Sequence, residues 1–113
     1  MKLVTLKKRR DFVLSNKFGQ KTHNKNFILQ EYYNPNISDQ GLMFGFTATK
    51  RIGNAVKRNR AKRRMRALIS VLLKEDKILF KEKCSYVLIA KQSILKASFF
   101  EMRIQLKQCL IRL

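Results

Sequence analysis

"KRIGNAVKRNRAKRRMRALI", residues 50–69, carries nine lysines and arginines in its first seventeen positions and no acid. The order of these residues decides how the chain folds. Asn54 is a good helix N-cap, because its side-chain oxygen can accept a backbone N–H of the first turn. Beyond it, at about 100° per residue and with Met65 as zero, Ala61, Met65, Leu68, Ile69 and Leu72 fall within about 60° either side. Asn59, Arg60, Arg63 and Arg66 fall together between about 100° and 220°, away from that apolar stripe. The spacing predicts a helix from Asn54 to about Leu73. Its C-terminal half anchors it in a core, and its N-terminal half offers a guanidinium-rich face. Arg58 and Lys62 project near the stripe, so they either snorkel past a sheet edge or mark where the helix leaves the core.

On the N-terminal side, "GLMFGFTAT" (41–49) alternates as a strand. Leu42, Phe44, Phe46 and Ala48 share one face, and Met43, Gly45, Thr47 and Thr49 the other. The second face is small and becomes polar, as suits a surface that something must approach closely; a strand glycine equally marks a bulge. Pro35, the sole proline, places a loop at 32–41. Before it "NFILQEYY" (26–33) reads as a strand, with Phe27, Leu29 and Tyr33 on one face interrupted by Glu31, and Ile28, Gln30 and Tyr32 on the other. "KTH" (21–23) is a strand fragment able to pair with it. "KRRDFVLSNK" (8–17) reads as a helix stopped by Gly19.

On the C-terminal side, "SYVLIA" (85–90) reads as a buried strand. "SFFE" (98–101) has the capping-box pattern that opens a helix. Phe99, Met102, Leu106, Cys109, Leu110 and Leu113 give that helix one docking face. The order is helix, three strands, helix, strand, helix. It predicts an α/β (α+β) two-layer sandwich, one central mixed sheet of about four strands with three helices packed on it. A crossover between parallel strands is expected to be right-handed on general grounds.

The totals agree with a single folded domain spanning 1–113, since 45% of the 113 residues are apolar and spread along the chain. Basic residues outnumber acidic ones 26 to 7, a formal charge of +19. Every residue from Gln40 to Lys74 is neutral or basic. A solvated surface would mix both signs, so the pattern points to a polyanion, and nucleic acid is the expected partner. No stretch approaches the roughly 20 apolar residues of a membrane span, and no secretory h-region follows the first residues. Cys84 and Cys109 are far apart and His23 is the single histidine, so no zinc spacing exists. Reduced cysteines and a cytoplasmic location are expected. Asp11, Glu31, Asp39, Glu75, Asp76, Glu82 and Glu101 are scattered, without a pair placed for metal or general acid–base work. "RIGNAV" lacks the Walker pattern. No catalytic residue is expected in this chain.

The run "GFTATKRIGNAVKRNRAKRRMR" (45–66) resembles the signature of the bacterial ribonuclease P protein family: a Thr-bearing strand, a basic pair, "GNAV", then "RNR" and further cations on one helix. "DF" at 11–12, the following glycine, and "SYVLIA" with "SFFEMRIQL" extend the resemblance over nearly the whole chain. It implies a left-handed β-α-β crossover. It also implies a ribonucleoprotein endoribonuclease in which the RNA subunit, with Mg²⁺ held mainly by that RNA and the substrate, removes the 5′ leader of precursor tRNA. Lys50, Arg51, Arg58, Asn59, Arg60, Lys62, Arg63 and Arg66 would then bind the catalytic RNA. Phe12, Gln30, Thr47, Thr49, Asn59 and Arg63 would line a cleft for the single-stranded leader, Phe12 as a stacking platform. No protein partner or membrane is implied. Two positions depart from the family pattern: Asn16 and Gln30 stand where aromatics are frequent. Leader stacking is then weaker, or Phe18 and Tyr32 substitute. The alternative reading is a basic ribosomal or other structural RNA-binding protein. A helix-turn-helix module lacks its partner helix here, and an autonomous metal nuclease lacks its carboxylates.

Overall fold

The structure, a computed structural model, describes residues 3–34 and 42–113. The loop expected around Pro35 lies largely outside them. The elements are α1 (Arg9–Phe18), β1 (Gln20–His23), β2 (Phe27–Tyr33), β3 (Leu42–Thr47), α2 (Ala55–Asp76), β4 (Cys84–Ala90) and α3 (Phe99–Arg112), in the order the periodicities predict. The four strands form one mixed sheet ordered β1-β2-β4-β3. β2 runs antiparallel to β1 and β4, and β3 is parallel to β4, with α2 as the connection between those two parallel strands.

Register assigns the faces. Phe44 lies beside Tyr86 and Tyr86 beside Glu31; Phe46 lies beside Leu88 and Leu88 beside Leu29. These side chains enter one core with Ala61, Met65, Leu68, Ile69 and Leu72 of α2 and Met102, Leu106, Cys109 and Leu110 of α3. The predicted α2 stripe is thus the buried one, each fully buried large side chain contributing roughly 1.5–3 kcal/mol of hydrophobic stabilisation. Leu73 is buried too, and α2 runs three residues beyond the expected end, to Asp76.

The opposite face carries the rows Gly45–Val87–Gln30 and Thr47–Ile89–Ile28. Helix α1 lies here: the Ser15 hydroxyl donates to Gln30 Oε1 at 2.9 Å. A Cβ on Gly45 would stand 2.5 Å from the Phe12 ring. What approaches β3 so closely is therefore the chain's own aromatic, and the glycine makes room for it.

Several local details depart from the simple reading. Gly19 ends α1 in an extended conformation at φ −72°, so backbone freedom is not the reason for glycine. A Cβ there would come within 2.5 Å of the Ser15 carbonyl oxygen. Ser98 caps α3 by accepting from Glu101 N–H at 3.0 Å, but the Glu101 carboxylate accepts from Gln105 instead of closing the box. Phe99, expected in the docking stripe, is 36% exposed at the start of α3. Glu31, the interruption in β2, is buried and partnered: Tyr86 Oη donates to Oε2 at 2.7 Å, and Lys81 Nζ lies 3.3 Å from Oε1. Burial, foremost, pushes the Tyr86 phenol far above its ordinary value and raises the Cys84 thiol as well. Periodicity also gave no hint that the N-terminal segment pairs with β3. Thr5 bridges Phe44 in parallel, with Leu6 N–H donating to Phe44 O at 2.7 Å and Phe44 N–H to Val4 O at 2.9 Å.

Candidate nucleic-acid interface

The start of α2 is set by three neighbouring residues. Ile52 is buried and plugs the turn Lys50–Ile52 into the core. Gly53 follows at φ +137°, a region that L side chains avoid, and a Cβ there would also meet Lys57 at 2.7 Å. Asn54 Oδ1 accepts the Lys57 N–H at 3.0 Å, the predicted cap. The helix therefore leaves the sheet edge in a fixed direction, with its positive N-terminal end beside Lys50 and Arg51, both exposed.

Asn59, Arg60, Arg63 and Arg66 are exposed together, as the projection predicts, and Lys62 is half-buried beside them. Val56, Asn59, Lys62, Arg63 and Arg66 border a shallow depression on the helix surface. The Arg66 guanidinium lies 5.5 Å from the centre of the Phe46 ring, a cation–π contact that holds its charge in place. Among the described residues, no cation of 50–66 forms an ion pair with a carboxylate. Among the described residues nothing compensates the field of this face.

The nine cations are not equivalent. Arg58 is half-buried, and its Nη1 donates to Gly53 O at 3.1 Å, bracing the turn from which α2 springs. Arg64 donates from Nη1 to Leu95 O at 3.1 Å and from Nη2 to Ala97 O, tying α2 to the segment before α3. These two guanidiniums satisfy backbone carbonyls. The others face solvent. Spacing on α2 could not reveal this for Arg64, because its partners lie more than thirty residues away.

The residues expected around a leader cleft divide in the same way. Phe12 is half-buried, with its ring over Gly45, and Thr47 stands on that same face two residues along β3. Ile28 and Ile89, which the sequence reading did not single out, are half-buried in the row with Thr47 and leave an apolar strip accessible beside α1. Thr49 is exposed just before Lys50. Gln30 is 1% exposed, enclosed beneath α1. Its Oε1 accepts from Ser15, and its Nε2 donates to Asn16 Oδ1 at 3.2 Å, where Lys21 Nζ also donates at 3.0 Å. Asn16 and Gln30, the two departures from the aromatic pattern, are thus hydrogen-bonded to each other. Phe18 is 63% exposed with Lys17 Nζ 5.5 Å from its ring centre, and Tyr32 is half-buried. Among the described residues, no three His, Cys, Asp or Glu side chains converge to hold a metal, and no helix is long and apolar enough to cross a membrane.

A mixed sheet backed by two helices, one of them carrying an arginine face that pairs with no carboxylate among the described residues, defines a small protein shaped to meet a polyanion. Comparison narrows the class. The profile of the family described as Ribonuclease P matches residues 1–113, and the chain belongs to that family. The ribonuclease P protein component of Erythrobacter litoralis is 34% identical over 111 residues, covering 98% of this chain and 86% of the relative. That of Shouchella clausii is 37% identical over 105 residues, covering 90% and 79%. The solved RNase P protein of Staphylococcus aureus superposes with a TM-score of 0.76 at 26% identity, covering 98% of this chain and 95% of that one. The RNase P protein of Thermotoga maritima, at 24% identity and TM-score 0.75 over 96% of each chain, shares the fold. The role is that of a ribonuclease P protein subunit, acting in tRNA processing as part of an endoribonuclease complex.

Proposed function

We propose that the exposed face of α2 grips the RNA subunit of ribonuclease P, and that the half-open strip beside α1 receives the single-stranded 5′ leader of precursor tRNA. The uncompensated arginine face carries this reading. Arg60, Arg63 and Arg66 present planar forks suited to phosphate, with Lys50, Arg51 and Lys62 extending the field and Asn59 able to donate and accept among them. Arg58 acts one step back, by bracing the turn. Phe12, Thr47 and Thr49 offer ring and hydroxyl contacts to the leader, flanked by Asn59 and Arg63, while Gln30 works from beneath by holding Asn16. Strand recognition here is sequence-tolerant, since ring stacking accepts any base.

The carboxylates among the described residues do not converge, so they do not fit a protein-held Mg²⁺. The ion belongs with the phosphates of the RNA subunit and substrate, and the hydrolysis with that RNA. The protein's contribution is to neutralise phosphates that would otherwise repel one another, so that less Mg²⁺ assembles the active complex. One RNA-binding domain in the cytoplasm, without a protein partner, suffices for this.

The test is cleavage of a 5′-extended precursor tRNA at low Mg²⁺ by the protein, the matching RNA subunit, and both. Cleavage at the mature 5′ end only with both is expected. No stimulation by folded protein would turn the search to other basic RNA-binding roles, the ribosome first. Arg63→Ala with Arg66→Ala should weaken RNA-subunit binding with little loss of fold; unchanged affinity at moderate salt would remove α2 from the contact.

A further inference from the structure

Between α2 and the first turn of α3 lies a hollow of about 420 Å³ lined by Arg60, Arg63, Arg64, Ala67 and Phe99. Its composition is unlike the rest of the α2 surface. Arg60 and Arg63 are exposed and stand one turn apart on one helix face. Arg64 forms a fixed wall, its guanidinium tied to the carbonyls of Leu95 and Ala97. Ala67 is too small to fill the space. Phe99 falls in the apolar stripe of α3 by spacing, yet 36% of it remains exposed and it borders the hollow. Among the described residues, no carboxylate lines the site. An occupant must therefore bring negative charge and a flat apolar surface together, within a space near the lower end of the roughly 300–1,000 Å³ of small-ligand pockets.

We infer that this hollow takes one unpaired nucleotide of RNA, its base against the Phe99 ring and its phosphate between Arg60 and Arg63. A duplex hides its base faces in its own stack, so the occupant is a bulged or single-stranded residue. Charge complementarity selects RNA over an apolar peptide, and the anchored Arg64 keeps the wall in place before binding. The inference deepens the reading of α2 as an RNA-binding face and rests on it. It makes α3 part of the grip, and adds a contact to a base where the α2 face alone offers contacts to phosphate.

The chain contains no tryptophan, so a Phe99→Trp variant reports on the hollow by fluorescence. It would be titrated with a hexa-adenylate RNA, an abasic strand of the same length and charge, pyrophosphate, and an acidic aromatic peptide. A Phe100→Trp variant, one residue on and outside the hollow, is the control. Base-containing RNA should quench the Phe99→Trp signal and bind there on the order of tenfold more tightly than the abasic strand, the scale of one stacked base. The Phe100→Trp signal should barely respond. Equal responses to the abasic strand, or to RNA in both variants, would overturn the inference and leave a surface that reads phosphate alone. Quenching by the peptide but not by RNA would overturn it in favour of a protein ligand. Phe99→Leu, which keeps an apolar side chain, should lower affinity for the RNA subunit by a similar factor. If the wild-type chain binds that subunit no better than unrelated RNA, the parent reading of α2 fails instead, and the oligonucleotide titration still decides the hollow.

Discussion

On one face of the sheet Leu29, Phe44, Tyr86 and Leu88 are sealed beneath α2 and α3; on the other, Ile28, Thr47 and Ile89 stay half-buried beside α1. Both faces belong to the same four strands, so strand propensity is not what separates them. The difference lies in coverage, two helices against one. The sealed face supplies the stability that lets the other remain partly open. An open apolar strip on a chain of +19 is tolerable when an anionic strand comes to lie on it.

The sharpest way to break this contrast is to truncate each face in turn. Leu88→Ala should cost about 2–5 kcal/mol in chemical denaturation, the range for a cavity in a packed core. Ile28→Ala should cost about 1 kcal/mol, since its side chain is only partly buried. Equal losses would mean that the two faces do not differ in packing. Next comes the contact that holds α1 down. Gly45→Val should destabilise by about 1–3 kcal/mol, because its side chain must displace the Phe12 ring. Adding Phe12→Ala should recover part of that loss; strictly additive effects would show that the ring does not meet Gly45 in solution.

A smaller effect separates neighbouring arginines. Arg64→Ala should lower stability by about 1 kcal/mol by freeing the carbonyls before α3, whereas Arg60→Ala should leave the thermal midpoint within error. Matching midpoints would place Arg64 with the solvent-facing set. The smallest is a pH effect of the sealed face. The Cys84 thiol and Tyr86 phenol hold their protons more tightly folded than unfolded. The stability they contribute is whole below about pH 8 and declines as pH rises past their unfolded values towards the higher folded ones. Urea midpoints should fall between about pH 8 and pH 10.5, and less steeply in Cys84→Ala; a flat profile would argue against that burial.

Helix α2 was legible almost residue by residue, because its cap and its 3.6-residue stripe are local properties of the chain. The faces of β3 were equally plain from alternation. What alternation could not say is what covers each face. That Phe12 meets Gly45, that Gln30 turns to Ser15 and Asn16, and that Arg64 reaches Leu95 and Ala97 all depend on contacts closed by the fold. The same holds for Phe99, whose position in the stripe is right while its place at the edge of α2 leaves it open. The resemblance to the family suggested the role proposed for the arginine face; the division of that face into structural and solvent-facing cations came only from geometry.

The pairing of Val4–Leu6 along β3 has a consequence for how the protein behaves between synthesis and assembly. Sheet edges with free N–H and C=O groups recruit strands from other copies, and proteins blunt them with short, charged or covered edges. Here β3 is covered by the chain's own N-terminal segment, and β1 at the other edge has only four residues, with Lys21 and His23 exposed. Repulsion between highly charged copies vanishes once salt shortens its range to a few ångströms. The blunted edges do not depend on salt. A protein stripped of its RNA at high ionic strength should therefore remain dispersed rather than aggregate, ready to be taken up when the salt is lowered and the RNA returns.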